Sequence, residues 1–169
     1  VKPADMDEAV VLQGFHELMV LCGEKHEHSE RNMSMMRMDG GMNAAMEFIE
    51  VGVSTSVIVA ACKFLALLCK QNVECRDFFE PGGSKRLSLL LESQPIGTDD
   101  AAVDVALLEA CLSLGKVATR SENNKVWLMA KGFAKLLILI INSDAALTTA
   151  WASATADACL MLRGLCLFD

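Results

Sequence analysis

The residues of this sequence that could do chemistry gather first around Cys22. The loop that follows it supplies imidazole nitrogens and carboxylate oxygens, from Glu24, His26, Glu27 and His28. These are ligand types that zinc accepts, but a structural zinc site needs four ligands, and no second Cys/His cluster occurs in the sequence. The apolar spacing around Cys22 also places its thiol in the buried stripe of a helix. We therefore interpret the stretch as a solvated loop and expect no metal.

The cysteines offer a second possible chemistry, that of a nucleophilic thiol. A catalytic Cys needs a His and an orienting group beside it, but all three His residues lie within the first 28 positions. Six of the Cys fall instead on apolar faces of predicted helices, where free thiols are commonly buried. Such thiols are typical of a reducing compartment, so we expect a cytoplasmic protein that could also be nuclear. The seven are Cys22, Cys62, Cys69, Cys75, Cys111, Cys159 and Cys166.

Two further patterns resemble catalytic motifs only in part. The stretch 82–85, Gly-Gly-Ser-Lys, ends like a phosphate-binding loop but lacks the upstream Gly and the preceding strand. Asp99, Asp100 and Asp104 are better explained as the cap and first turn of a helix than as an acid and a base. We predict no catalytic residue and no cofactor, and keep a cysteine- or metal-dependent enzyme as an alternative.

The cysteines also belong to a pattern that occurs four times. Its clearest copy places small and apolar residues at helical spacing, at Ala61, Cys62, Leu65, Leu68 and Cys69. The copies begin at positions 14, 61, 110 and 158, so the intervals are 47, 49 and 48 residues. A near-constant period of this size is typical of a stacked helical array, in which each unit buries its apolar face against the next. We expect these residues to form the seam between long helices.

Each later copy follows a short and a medium helix. The leading helix is predicted from near Ala4 to about Gly23. The first set of short, medium and long helices is predicted at 32–39, 42–51 and 54 or 55–70. The second set is predicted at 73–80, 84–92 and 99 or 100–119. The third set is predicted at 123–131, 133–141 and a last helix ending at 167. Breaks at Gly41, Gly83 and Gly132 separate short from medium helices, where a left-handed helix end favours Gly.

The bulk composition predicts one domain over 1–169. It divides into a leading helix and loop, 4–31, and repeats 32–71, 72–122 and 123–169. Hydrophobic residues make up 53% and charged residues 22%, which excludes a disordered chain. The hydrophobic share is above the usual share of roughly half. Because an internal repeat has two apolar faces, this excess of hydrophobic residues also indicates a segment of a longer array that could self-associate through its exposed terminal repeats.

The charge of the chain limits its partners. The formal net charge is −7 and no run of Lys or Arg occurs, so we expect no nucleic-acid partner. The longest apolar runs, such as 136–141, are far shorter than the roughly 20 residues of a membrane span, so we expect no membrane partner.

The whole unit is clearest at 124–137, which begins with Asn124 and passes through Gly132 to a Leu-Leu pair, followed by the long-helix motif at 158–165. A short helix opened by Asn, a Gly break, an apolar medium helix and a long helix with this motif resembles the armadillo repeat, over nearly the whole chain. The resemblance implies an all-α, right-handed armadillo-type superhelix, an α-solenoid of about three three-helix repeats plus a leading helix.

The resemblance also implies a concave groove along the third helices that binds an extended or helical partner segment. Two positions on each third helix face that groove in the family, and here they are His16 and Val20, Lys63 and Leu67, Leu112 and Lys116, and Leu160 and Gly164. Nuclear import receptors often have Trp and Asn there, which hold a basic peptide, but no copy here has either. We therefore expect a non-catalytic scaffold for an apolar or acidic protein segment, with an import adaptor as the alternative. The expected groove residues are His16, Lys63, Leu67, Leu112, Lys116 and Leu160.

Overall fold

The computed structural model of this chain describes residues 6–79, 82–94, 96, 103–143 and 148–167. This part of the chain is helical and contains no strand, which confirms the all-α class. A 3₁₀ turn at Thr149–Trp151 precedes the last helix. The α-helices are α1 Glu8–Leu21, α2 Ser29–Met38, α3 Gly41–Glu47, α4 Thr55–Gln71, α5 Val73–Phe78, α6 Gly82–Glu92, α7 Val105–Ala118, α8 Glu122–Ala130, α9 Phe133–Asn142 and α10 Ala152–Cys166.

The first long helices begin where a short polar side chain accepts a backbone N–H. Ser54 caps α4, as the sequence predicts. Asp7 accepts from the backbone N–H of Ala9 at 2.9 Å, and α1 begins at Glu8. The predicted start near Ala4 lies outside the described residues. The side-chain oxygen of the residue just before a helix accepts backbone N–H groups that have no partner inside the helix. Such a residue therefore determines where the helix begins.

The predicted start of the third long helix is wrong. α7 begins at Val105, because the Asp104 carboxylate accepts the backbone N–H of Leu107 at 3.1 Å. The predicted caps, Asp99 and Asp100, lie outside the described residues. Sequence reasoning placed Asp104 within the helix, although its side chain is the cap.

The glycine breaks agree with the sequence at one place and differ at two. Gly132 has φ +74° before α9, as predicted, whereas the corresponding left-handed residue before α3 is Gly40, at φ +80°, and not Gly41. Gly83 lies inside the first turn of α6 and is buried. A Cβ there would come within 2.2 Å of the Phe79 ring, so Gly83 is explained by close packing and not by a left-handed break.

The four helices that carry the repeated motif pack side by side. α1 packs on α4, α4 on α7, and α7 on α10, while α3, α6 and α9 each pack on the long helix that follows them in the chain. The predicted seam is confirmed, because its residues in α4 are fully buried, namely Ala61, Cys62, Leu65, Leu68 and Cys69. α4 is therefore covered by α1, α7 and the shorter helices, and only one side of it remains accessible.

Polar side chains connect consecutive repeats beneath this layer. Asn124, in the first turn of the short helix α8, is fully buried. Its amide donates to the backbone carbonyl of Arg76 at 3.1 Å and accepts the Ser84 hydroxyl at 2.8 Å. Because an unpaired buried amide is costly, this pair of bonds holds α8 in register with α5 and α6.

The expectation of buried core cysteines is wrong at the last helix. Five of the seven thiols are buried, but Cys159 and Cys166 of α10 are exposed. They occupy the places that Cys62 and Cys69 hold in α4, where the Cys62 thiol contacts Cys111 of α7 and the Cys69 thiol contacts the Cys75 carbonyl of α5. Among the described helices, α10 packs on α7, α8 and α9, and these contacts leave Cys159 and Cys166 exposed. Among the described helices, none is long and apolar enough to cross a membrane.

Candidate binding face on the long helices

Each of the four adjacent long helices has an accessible side, and we call these sides together the long-helix face. On α4 it consists of Lys63 and Lys70, which are exposed, and of Ala60 and Leu67, which are half-buried. These positions recur at steps of three and four residues, so they lie along one line of the helix. The opposite sides of α4 are occupied by packing, and this line is the part of α4 that a partner can reach.

On α7 the structure corrects one predicted residue. Leu112 is 0% exposed and therefore does not lie on the long-helix face. The accessible line runs instead through four other residues, Glu109, Ser113, Lys116 and Arg120. Ser113 thus takes the place that Lys63 has on α4. A shift of one residue turns a side chain by about 100° around the helix, which is enough to move it from the open face into the core.

The other predicted residues are accessible to different degrees. His16 on α1 and Lys63 on α4 are exposed, and Leu160 on α10 is 48% exposed. Leu67 and Lys116 are half-buried. The layer therefore brings five of the six predicted residues to accessible positions on four adjacent helices.

Lys116 already has a partner inside the protein. Its ammonium donates to the Asp157 carboxylate on α10, whose side chain is only 16% exposed. This ion pair spans the α7–α10 seam and largely neutralises the charge of Lys116. Sequence reasoning assigned that charge to a partner protein, because Asp157 is 41 residues away along the chain.

A cavity of about 490 Å³ opens between the C-terminal halves of α7 and α10 and the start of α8. We call it the C-terminal pocket. The two helices approach closely in it, because a Cβ on Gly164 would come within 3.0 Å of the Thr119 hydroxyl oxygen. The pocket is lined by Lys116, Thr119, Arg120, Glu122, Lys125, Leu160, Arg163, Gly164 and Leu167.

The charged groups of the C-terminal pocket are mostly cations. Lys125 is 7% exposed, and its ammonium donates to the Glu122 carboxylate at 2.5 Å and to the Leu167 carbonyl at 2.8 Å. Arg120 and Arg163 are exposed, and neither guanidinium has an ion-pair partner among the described residues. The pocket is therefore an electropositive site in a chain whose net charge is −7.

Neither arginine was singled out from the sequence. The signal that could have found Arg120 is its spacing of four residues from Lys116, which places the two on one side of a helix and its end. Arg163 lies three residues after Leu160, by the same reasoning.

The surroundings of the buried thiols and of the loop with His26 and His28 do not favour nucleophilic or metal-binding chemistry. Burial raises the pKa of Cys69 to about 12 and that of Cys75 to about 11. A hydrogen bond with the Cys62 side chain, and then burial, raise the pKa of Cys111. A protonated thiol is a poor nucleophile and a poor metal ligand. Within the ranges that the structure describes, no three His, Cys, Asp or Glu side chains are grouped so as to hold a metal ion.

Comparison of the chain with protein-family models, with curated proteins and with solved structures found no match. The resemblance to the armadillo repeat therefore rests on the residues of the sequence.

Proposed function

We propose that this protein is a non-catalytic scaffold that binds a segment of another protein along the long-helix face, in an armadillo-type array. The observation that carries the proposal is the accessible surface that runs across four adjacent long helices. It combines apolar side chains such as Leu67 and Leu160 with cations that have no ion-pair partner among the described residues, such as Lys63. A continuous, one-sided surface of this kind suits an extended or helical segment.

The charge of the face favours an acidic or apolar segment over a basic one. Lys63, Arg120 and Arg163 have no ion-pair partners among the described side chains. They outnumber Glu109, the acidic residue on the accessible line of α7, and the acidic Asp157 is paired with Lys116. A basic peptide would meet like charges on three helices, which opposes its binding. This argues against the alternative of an import adaptor.

A peptide selection tests the proposal. A displayed library of random peptides is selected on the purified protein, and the selected peptides are titrated against Lys63→Glu and against Lys135→Glu. Both lysines are exposed, but Lys135 belongs to α9, which is not one of the four long helices. We expect Lys63→Glu to weaken binding at least fivefold and Lys135→Glu to leave it nearly unchanged. Equal affinity of both variants for every selected peptide would contradict the proposal.

A further inference from the structure

We propose that the C-terminal pocket binds paired carboxylates of an acidic peptide segment, with an apolar side chain of the same segment seated on Leu160 and Leu167. The inference rests on the proposed scaffold function and specifies where on the face the partner is held and what its chemistry is.

The number of pocket cations without an ion-pair partner among the described residues determines the charge of a ligand that would neutralise them. Four cations line the pocket, but Lys116 is paired with Asp157 and Lys125 with Glu122. Two positive charges remain, on the guanidiniums of Arg120, just after α7, and of Arg163, on α10. A ligand that neutralises both carries two negative charges. The planar N–H fork of Arg matches a carboxylate in a way that a lysine ammonium does not.

The apolar part of the pocket selects a peptide over a small inorganic anion. Leu160 is 48% exposed and Leu167 is 53% exposed, and both line the cavity beside the arginines. A phosphate ion would leave this apolar surface in water, whereas a Leu side chain next to the carboxylates would cover it. The volume of about 490 Å³ lies in the range of sites that take several side chains.

In an extended peptide, the backbone determines how far apart in sequence the two carboxylates and the apolar side chain must be. In an extended chain, every second side chain points to the same side. Two Asp residues two positions apart, followed by Leu after a further two, therefore present both carboxylates and the apolar group to one wall. The sequence Ser-Asp-Ser-Asp-Ser-Leu-Ser is the simplest probe with this pattern.

Fluorescence anisotropy with this labelled peptide, at 50 mM and 300 mM salt, tests the inference. We expect saturable binding that weakens with salt and is lost when both Asp of the probe are replaced by Asn. Arg120→Gln and Arg163→Gln should each weaken binding at least fivefold. Arg31→Gln is the matched control, because Arg31 is also exposed and lies in α2, at the other end of the molecule. All three variants should keep the wild-type melting temperature, since none of the three side chains has an ion pair among the described residues.

Three outcomes would overturn the inference. The first is no saturable binding, or equal binding of the Asp and Asn peptides. The second is an equal effect of Arg31→Gln and of the pocket variants. The third is that inorganic phosphate or a short oligonucleotide displaces the probe at the same concentration as the unlabelled peptide does. This result would assign the pocket to oxyanions in general. If selected peptides still depend on Lys63 in any of these cases, the scaffold function stands and only the assignment of the pocket falls.

Discussion

Replacing Asn124 by Ala should destabilise the protein strongly, because this buried amide connects two repeats. The substitution removes the bond to the Arg76 carbonyl, which contributes about 1 kcal/mol, although that carbonyl still accepts the N–H of Phe79. It also leaves the fully buried Ser84 hydroxyl without its acceptor, at a cost of about 1–3 kcal/mol. We therefore expect the free energy of unfolding to fall by about 2–4 kcal/mol.

Urea denaturation followed by far-ultraviolet circular dichroism measures this loss. Asn123→Ala is the matched control, because Asn123 is the preceding residue of α8 and is exposed. It should change the free energy of unfolding by less than about 0.5 kcal/mol. The double variant with Ser84→Ala should lose less than the sum of the single variants, since it also removes the orphaned hydroxyl. Equal midpoints for Asn123→Ala and Asn124→Ala would refute the claim that this amide holds the repeats in register.

Three further outcomes follow from burial and backbone geometry. A thiol reagent applied to the native protein should modify Cys159 and Cys166 rapidly and the remaining thiols only on unfolding, as mass spectrometry would show. Leu112→Ala should lower the free energy of unfolding by about 2–5 kcal/mol, whereas Ser113→Ala should lower it by less than about 1 kcal/mol, in the same urea assay. Gly132→Ala forces an L-residue to φ +74° and should cost about 1 kcal/mol, visible as a lower thermal midpoint.

Each of these has an outcome that would contradict it. Modification of all seven thiols in the native state would contradict the tight packing of the α4–α7 seam. A Ser113→Ala variant less stable than Leu112→Ala would mean that α7 is rotated from the orientation described. A Gly132→Ala protein as stable as the wild type would place another residue at the break before α9.

The sequence alone was sufficient to predict which side of α4 packs against its neighbours. The recurring motif predicts which side of α4 is buried, and Cys62 and Cys69 lie there with no exposed surface. The same motif was misleading on α10, because exposure of Cys159 and Cys166 depends on which helices lie beside α10, and a local pattern contains no information about that.

The binding face could be predicted only approximately. Lys63 follows directly from the helical spacing of α4, on the side opposite the buried residues of the motif. Leu112 was misassigned because copying a position from one helix to the next assumes that both have the same rotation about their axes, and α7 is shifted by about one residue. The pairing of Lys116 with Asp157 depends on how α10 packs on α7, which spacing along the chain does not encode.

Mapping a selected peptide by NMR chemical-shift perturbation tests whether a partner segment binds on the long-helix face. We expect shifts concentrated on the accessible lines of the long helices, at Lys63 and Leu67 of α4, Ser113 of α7 and Leu160 of α10, with Leu139 on α9 unperturbed. Shifts concentrated on the exposed residues of α6 and α9, with none on α4, α7 or α10, would contradict it.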